Sequence, residues 1–235
     1  MTETLFRADA YLQHCEATVT GLNEHGVVLN RTVFYPRGGG QPGDRGVLET
    51  RDGRRVVITD TLKSDQGDPL HVPHPDTPPL SVGEQVKATL DWEQRYRHMR
   101  MHTCLHLLCS LVDAGVTGGA VGRDRGRLDF DLPDATLDKT TLSEALNGLI
   151  ARDVPVLARW ISAQTLADQP ELVRTMSVQP PVDQGDVRLI DIAGVDLQPC
   201  GGTHVARTGE IGTVRVSKIE KKSRHNRRVV VHFID

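Results

Sequence analysis

The sequence predicts an α+β protein, a small N-terminal β-barrel domain followed by an α+β domain whose largely antiparallel sheet is packed by helices. Three observations carry this. Short β-rich runs broken by Gly, Pro, Asn and Asp clusters fill the first part of the chain. At Asp91 the texture changes to a long stretch, Trp92 to Ala114, with no Pro or Gly. Beyond it, helix-like and strand-like segments alternate without a strict βαβ rhythm.

From Cys15 to Leu90 the β-like runs are Ala17 to Val19, Val27 to Leu29, Thr32 to Phe34, Arg55 to Ile58 and Val86 to Leu90, which suit a small barrel or sandwich. Gly67 to Pro79 holds five of the 13 prolines and is expected as an extended surface loop. In the stretch after Asp91, Met101, Leu105, Leu108 and Val112 recur at three- and four-residue steps, the period of a helix with one apolar face. Gly118 to Gly126 is turn-rich, Arg127 to Asp131 strand-like, and Thr140 to Arg152 helical with a Thr or Ser start signal. The rest alternates: strands are expected over Val154 to Ile161, Val187 to Ile192, Gly212 to Ile219 and Arg228 to Phe233, with short helical pieces at Ala163 to Asp168 and Pro170 to Met176. The expected domains are residues 1–90 and 91–235.

The chain has 235 residues, 28 Lys+Arg against 31 Asp+Glu, and a formal net charge of -3. That balance argues against a globally basic nucleic-acid coat or a polybasic membrane tail. A chain this long can bury a core without a stabilising metal or disulfide. Its apolar runs fall far short of the roughly 20 residues that span a bilayer, and Met1 to Ala10 lacks the apolar core of an export signal. A cytoplasmic protein without membrane attachment is expected. Four irregularly spaced cysteines speak for thiol or metal chemistry over a disulfide framework.

His102 and His106 stand four apart on the expected helix, so both imidazoles leave one face and can share a cation. Alone the pair is weak, because His98 stands at the same spacing. Cys200-Gly201-Gly202-Thr203-His204 adds a thiolate and an imidazole on a loop flexible enough to reach one ion. Four N/S donors suit zinc better than magnesium or calcium. A zincin protease does not fit, since Thr103 and Cys104 stand where its glutamate base belongs. A closed zinc that only staples the fold stays open on spacing alone.

These residues resemble a known family. Arg100-Met101-His102-Thr103 running into Leu105-His106-Leu107-Leu108, then Arg127-Leu128-Asp129-Phe130-Asp131, then Pro199-Cys200-Gly201-Gly202-Thr203-His204-Val205 is similar to the editing domain of alanyl-tRNA synthetase. Upstream, Thr32-Val33-Phe34-Tyr35-Pro36-Arg37-Gly38-Gly39-Gly40-Gln41-Pro42-Gly43-Asp44-Arg45-Gly46 resembles the β domain preceding it in the free-standing AlaX alanyl-tRNA editing proteins, of medium-length, trans-acting type. The resemblance runs from about residue 5 to residue 234.

It implies that 91–235 is a zinc-binding editing domain that hydrolyses the ester of tRNA(Ala) mischarged with serine or glycine. One Zn2+ per chain would be held by His102, His106, Cys200 and His204, the residues that carry catalysis. Such a second sieve is needed because an alanine pocket rejects serine and glycine poorly. The alternative is a noncatalytic zinc-stabilised tRNA-binding module. Thr117 takes the place where relatives put a polar residue against the serine side chain, although a turn threonine reads the same way. Gly39, Gly40 and Gln41 belong to a loop that helps serine specificity, or are a bare turn. Asp129 and Asp131 alternate with apolar residues and are candidates to assist water or orient a histidine, or are structural carboxylates. Thr103 and Thr203 read as packing residues. From Arg215 to Arg228, seven basic residues against Glu220 alone give a net of +6. The tip, with Lys221, Lys222, Arg224, Arg227 and Arg228, looks like a hairpin that grips tRNA phosphates, or a solvated face.

Overall fold

The computed structural model describes residues 1–133, 137–176, 182–183 and 185–234. The chain divides into two compact units, Met1–Tyr96 and Arg97–Asp235.

The first unit contains β1 (Glu3–Thr4), β2 (His14–Asn23), β3 (Gly26–Leu29), β4 (Arg31–Thr32), β5 (Gly46–Thr50), β6 (Arg55–Lys63), β7 (Pro69–Pro73) and β8 (Gln85–Leu90). Six of them close into an antiparallel barrel in the order β2, β3, β7, β6, β5, β8. Strand β8 shows why it closes: Val86, Ala88 and Leu90 point inward and are buried while Gln85, Lys87 and Thr89 face out, the period-two pattern of a half-buried strand. At Gly46 a Cβ would lie 2.2 Å from the Thr89 carbonyl oxygen, so the approach of β5 to β8 requires glycine there.

Two expectations in this unit are corrected. Thr32 to Phe34 is not a strand beyond Thr32, because side chains take up the backbone groups that a sheet would need. The Val33 carbonyl accepts from Arg95 at 2.6 Å, Phe34 N–H donates to Thr32 Oγ1, and Tyr35 N–H donates to the Asp44 carboxylate at 2.6 Å. The proline-rich stretch is not all surface loop, since Pro69–Pro73 is barrel strand β7. Its prolines sit at the two ends, where the missing N–H is tolerated, and Leu70 and His71 between them are buried. The His71 ring bonds Thr32 Oγ1 at 2.8 Å and the Val27 carbonyl at 2.9 Å, and its full burial pushes its pKa down to about 4.

The helix α1 (Trp92–Leu111) carries the boundary between the units. Arg95, in its first turns, is completely buried with Asp44. Its guanidinium donates to both Asp44 carboxylate oxygens, to the Ala10 carbonyl and to the Val33 carbonyl. One side chain thereby ties three separate loops of the first unit.

The second unit continues α1 and adds β9 (Val116–Val121), β10 (Arg125–Asp131), α2 (Lys139–Ala151), β11 (Val156–Ser162), α3 (Ala163–Ala167), β12 (Val182–Asp183), β13 (Asp186–Ile192), β14 (Asp196–Pro199), β15 (Val214–Lys221) and β16 (Asn226–Phe233). One antiparallel sheet runs β15, β16, β10, β9; in the other, β13 pairs with β11, β12 and β14. The inner face of the first sheet meets α1, where a Cβ on Gly126 would collide with Met101 and Leu105. It meets α2 as well, where Asn147 and Ser143 bond the backbone of Val214 and Val216.

Here too the structure departs from expectation. The turn expected over Gly118 to Gly126 is largely strand, with Val116–Val121 forming β9. Its glycines Gly118 and Gly119 pair with Asp129 and Leu128 of β10, and a Cβ at Gly119 would come within 3.1 Å of the Leu128 side chain. Helix α2 starts at Asp138, whose carboxylate accepts from Thr141 N–H at 2.8 Å, not at a Thr or Ser cap. Of Pro170 to Met176 only Pro170–Leu172 is helical, as one 3-10 turn, whereas Thr175 bridges to Val116. Among the described residues no helix is long and apolar enough to cross a membrane.

The Arg95 cluster makes a direct prediction. Arg95→Ala leaves Asp44 buried and unpaired and should destabilise the protein by about 3 to 5 kcal/mol. Chemical denaturation measures this; a loss below about 1 kcal/mol would show that the pair contributes no more than a surface ion pair.

Candidate metal centre

The sequence builds the site from two distant pieces. Helix α1 presents His102 and His106 one turn apart on the same side, and the loop after β14 brings Cys200 and His204. The donor atoms of these four residues all lie within 4.8 Å of one another. Cys200 Sγ is 3.5 Å from His102 Nε2 and 3.3 Å from His204 Nε2. The three histidines are buried and Cys200 is half-buried. His98, at the same helical spacing, is not in the group.

Two hydrogen bonds fix the tautomers. His106 Nδ1 bonds Asp196 Oδ2 at 2.9 Å, so its proton sits on Nδ1 and Nε2 is left for a ligand. Thr103 donates its hydroxyl proton to the Met99 carbonyl. The same oxygen then accepts from His204 Nδ1 at 3.2 Å and from Val205 N–H at 3.3 Å. His204 is thereby held with Nε2 toward Cys200. Thr103 is thus more than a packing residue, because it joins the helix to the ligand loop.

The loop is held from below by Arg188 on β13. This buried guanidinium donates to the Cys200 and Gly202 carbonyls, both at 2.9 Å. Gly202 N–H points at Cys200 Sγ, 3.4 Å away. Gln198 donates to Asp196 Oδ2 at 2.6 Å, which keeps that carboxylate aimed at His106. Sequence reasoning missed Asp196, Gln198 and Arg188. Asp196 and Gln198 alternate on one short strand beside the ligand loop, and that was the available signal.

Electrostatics single out Cys200. Burial opposes ionisation of its thiol, but the facing His102 and His204 rings outweigh it and hold the pKa well below the ordinary value. Burial pushes Cys104 up to about 12 and raises Cys109, so those thiols stay protonated. His204 is held well below its usual range by burial and by His102. Burial works against charge on His106, yet the Asp196 hydrogen bond and the neighbouring thiolate raise it to about 10. A thiolate and three ring nitrogens converging in a largely buried space are a donor set for a four-coordinate soft or borderline metal ion.

The other expected residues lie as follows. Thr117, half-buried on β9, donates to the Asp129 carbonyl at 3.1 Å and accepts from Asn226 Nδ2 at 2.8 Å. The Asp129 carboxylate accepts from Arg228 at 2.7 and 2.9 Å and pairs with Arg127, so it orients arginines; the carboxylate that orients a site histidine is Asp196. In the first unit, Gly39 and Gly40 occupy a two-residue turn closed by Gly38 N–H to the Gln41 carbonyl and Gln41 N–H to the Gly38 carbonyl. Both have positive φ, 55° and 80°, a geometry that favours glycine, and Gln41 is buried. The basic tip is a hairpin between β15 and β16. Lys221 and Arg224 are exposed on it. Lys222 reaches Glu220 at 3.5 Å, Arg227 bonds the Ser223 carbonyl, and Arg228 is taken by Asp129.

Asp196→Asn should weaken metal binding about 10- to 100-fold while the fold persists, as read by chelator competition on the metal-free protein. Unchanged affinity would mean that Asp196 does not position His106.

Two family models match the chain: the threonyl and alanyl tRNA synthetase second additional domain over residues 187–230, and class II (A) tRNA synthetases over residues 5–94. The alanyl-tRNA editing protein AlaX-M of Methanosarcina mazei is 36% identical over 246 residues, covering 100% of this chain and 98% of the relative. The AlaX-L protein of Pyrococcus horikoshii is 34% identical over 97% of this chain and 57% of its own length. An alanine–tRNA ligase of Saccharolobus islandicus is 29% identical over 94% of this chain and 25% of its own. With its metal-donor cluster and near full-length similarity to AlaX-M, the chain belongs to the AlaX family of alanyl-tRNA editing proteins.

Proposed function

We propose that the protein is a zinc-dependent, trans-acting hydrolase of the cytoplasm that cleaves the ester of Ser-tRNA(Ala), with Gly-tRNA(Ala) as a further substrate. The observation that carries this reading is the His102, His106, Cys200 and His204 donor set in a chain of the AlaX family. The set suits zinc. Nitrogen and sulfur donors on a tetrahedral zinc lie about 3.6 Å apart, from the usual bond lengths, and the Sγ to Nε2 distances here are 3.3 and 3.5 Å. Zinc bound there supplies Lewis acidity and a fixed positive charge toward the ester carbonyl.

In this reading the chain's own residues orient and select. Asp196 and Thr103 hold the rings of His106 and His204. The Thr117 hydroxyl, after donating to Asp129 and accepting from Asn226, has one lone pair left, which can accept from a seryl hydroxyl. An alanyl ester offers no such donor, so the pair discriminates by hydrogen bonding where the synthetase cannot by size. Asp129 serves by fixing Thr117 through its backbone carbonyl. Gly39, Gly40 and Gln41 contribute to serine selectivity as a rigid turn. Lys221, Lys222, Arg224, Arg227 and Arg228 are assigned to tRNA phosphates.

One observation favours a second reading, a noncatalytic zinc-stabilised tRNA-binding module. Four protein donors already complete a tetrahedral shell, as in structural zinc sites. Single-turnover assays with seryl, glycyl and alanyl esters of tRNA(Ala) separate the two. The enzyme reading expects seryl ester hydrolysis well above background, sparing of the alanyl ester, and loss of activity in Cys200→Ala. Thr117→Val should keep its zinc and slow seryl deacylation. Full zinc occupancy without acceleration would falsify the enzyme reading and leave the module.

A further inference from the structure

The sheet β15-β16-β10-β9 has one covered face and one open one. Phe130, Val229 and Val231 point inward and are fully buried. On the open face the strand register sets side chains in rows. Arg125 on β10 lies opposite His232 on β16, which lies opposite Arg215 on β15. The next row is Arg127, Val230 and Lys218. Further along, Asp129 and Glu220 flank Arg228, and the charge becomes mixed.

The acidic partners cover only part of this charge. Arg127 pairs with Asp129 and Lys218 with Glu220. Arg125 and Arg215 are exposed and, among the described residues, have no ion pair. Two guanidiniums and an imidazole thus share a row without a carboxylate. Adjacent strands are about 4.8 Å apart, which places Arg125 and Arg215 about 10 Å apart across His232. Basic side chains lined up across strands repel and cost stability, so a row of this kind calls for an anion. Beside it, β9 contributes Gly118 and Ala120, paired with Asp129 and Arg127, and their small size leaves the neighbouring surface low.

We propose that this end of the open sheet face, marked by Arg125 and Arg215, docks the phosphodiester backbone of the RNA substrate, as a contact surface in addition to the hairpin tip. A flat face with unpaired guanidiniums suits phosphates, which position an RNA without reading its sequence. The inference rests on the reading of tRNA as substrate.

The test uses the full-length, metal-loaded protein and an unacylated tRNA(Ala) transcript. Fluorescence anisotropy gives the Kd between about 50 and 200 mM salt for wild type, for Arg125→Glu/Arg215→Glu and for Arg125→Lys/Arg215→Lys. The charge reversal should weaken binding at least about 10-fold and flatten the log K against log salt slope by about two, whereas the lysine variant retains most of the affinity. Metal content and hydrolysis of a seryl ester of a short 3′-terminal CCA fragment should not change. Wild-type affinity and slope in the charge-reversed protein would overturn the sheet-face proposal alone. Absence of tRNA binding by wild type would overturn the tRNA reading with it. Polyglutamate bound as tightly as tRNA, with the same loss on charge reversal, would assign the face to an acidic protein instead.

Discussion

Three imidazoles and a thiol brought within 4.8 Å of one another, with the imidazoles buried, form the constraint around which the second unit is organised. Burial disfavours charge on Cys200, His106 and His204, yet the rings drive the Cys200 thiol toward thiolate and the thiolate helps to protonate His106. A shared cation relieves both demands at once. Without one, the cluster is a costly way to fill a protein interior. The surroundings are arranged accordingly. Arg188 holds the Cys200 loop by its carbonyls, Thr103 links that loop to α1, and Asp196 sets the His106 ring.

The same economy of contacts appears in the first unit. Arg95 and Asp44 bury a charge pair whose remaining hydrogen bonds go to the backbone of Ala10, Val33 and Tyr35. These three residues lie outside the strands, and the buried pair takes up the Ala10 and Val33 carbonyls and the Tyr35 N–H. Buried ion pairs of this sort gain little net stability but tolerate no loss of one partner. On the sheet of β15, β16, β10 and β9 the charges are used in the opposite way, since Arg125 and Arg215 are exposed and have no ion pair among the described residues. A net charge of -3 for the whole chain conceals that local excess.

Much of the architecture was legible in the sequence because its signals are local. The helical period through Met101, Leu105 and Leu108 located α1, and with it the shared face of His102 and His106. The Cys200 to His204 loop supplied the complementary donors, and short β-rich runs located β8, β10, β13 and β16. What escaped depended on partners far away in the chain. Val33 and Phe34 have strand-like side chains, but Arg95 takes the Val33 carbonyl 62 residues later and the Thr32 hydroxyl takes the Phe34 N–H. Pro69 and Pro73 look like loop residues until they are seen at the two ends of a strand. Gly118 and Gly119 look like a turn until the packing on β10 is known. Asp196 carries no motif and becomes visible only when a histidine 90 residues away needs an acceptor, whereas the more conspicuous Asp129 is claimed by two arginines.

Zinc K-edge X-ray absorption of the purified protein tests whether the four-residue cluster is a zinc centre. One zinc per chain is expected, with one sulfur at about 2.3 Å and three nitrogens at about 2.0 to 2.1 Å. A protein that holds no stoichiometric zinc, or a zinc shell without sulfur, would contradict it.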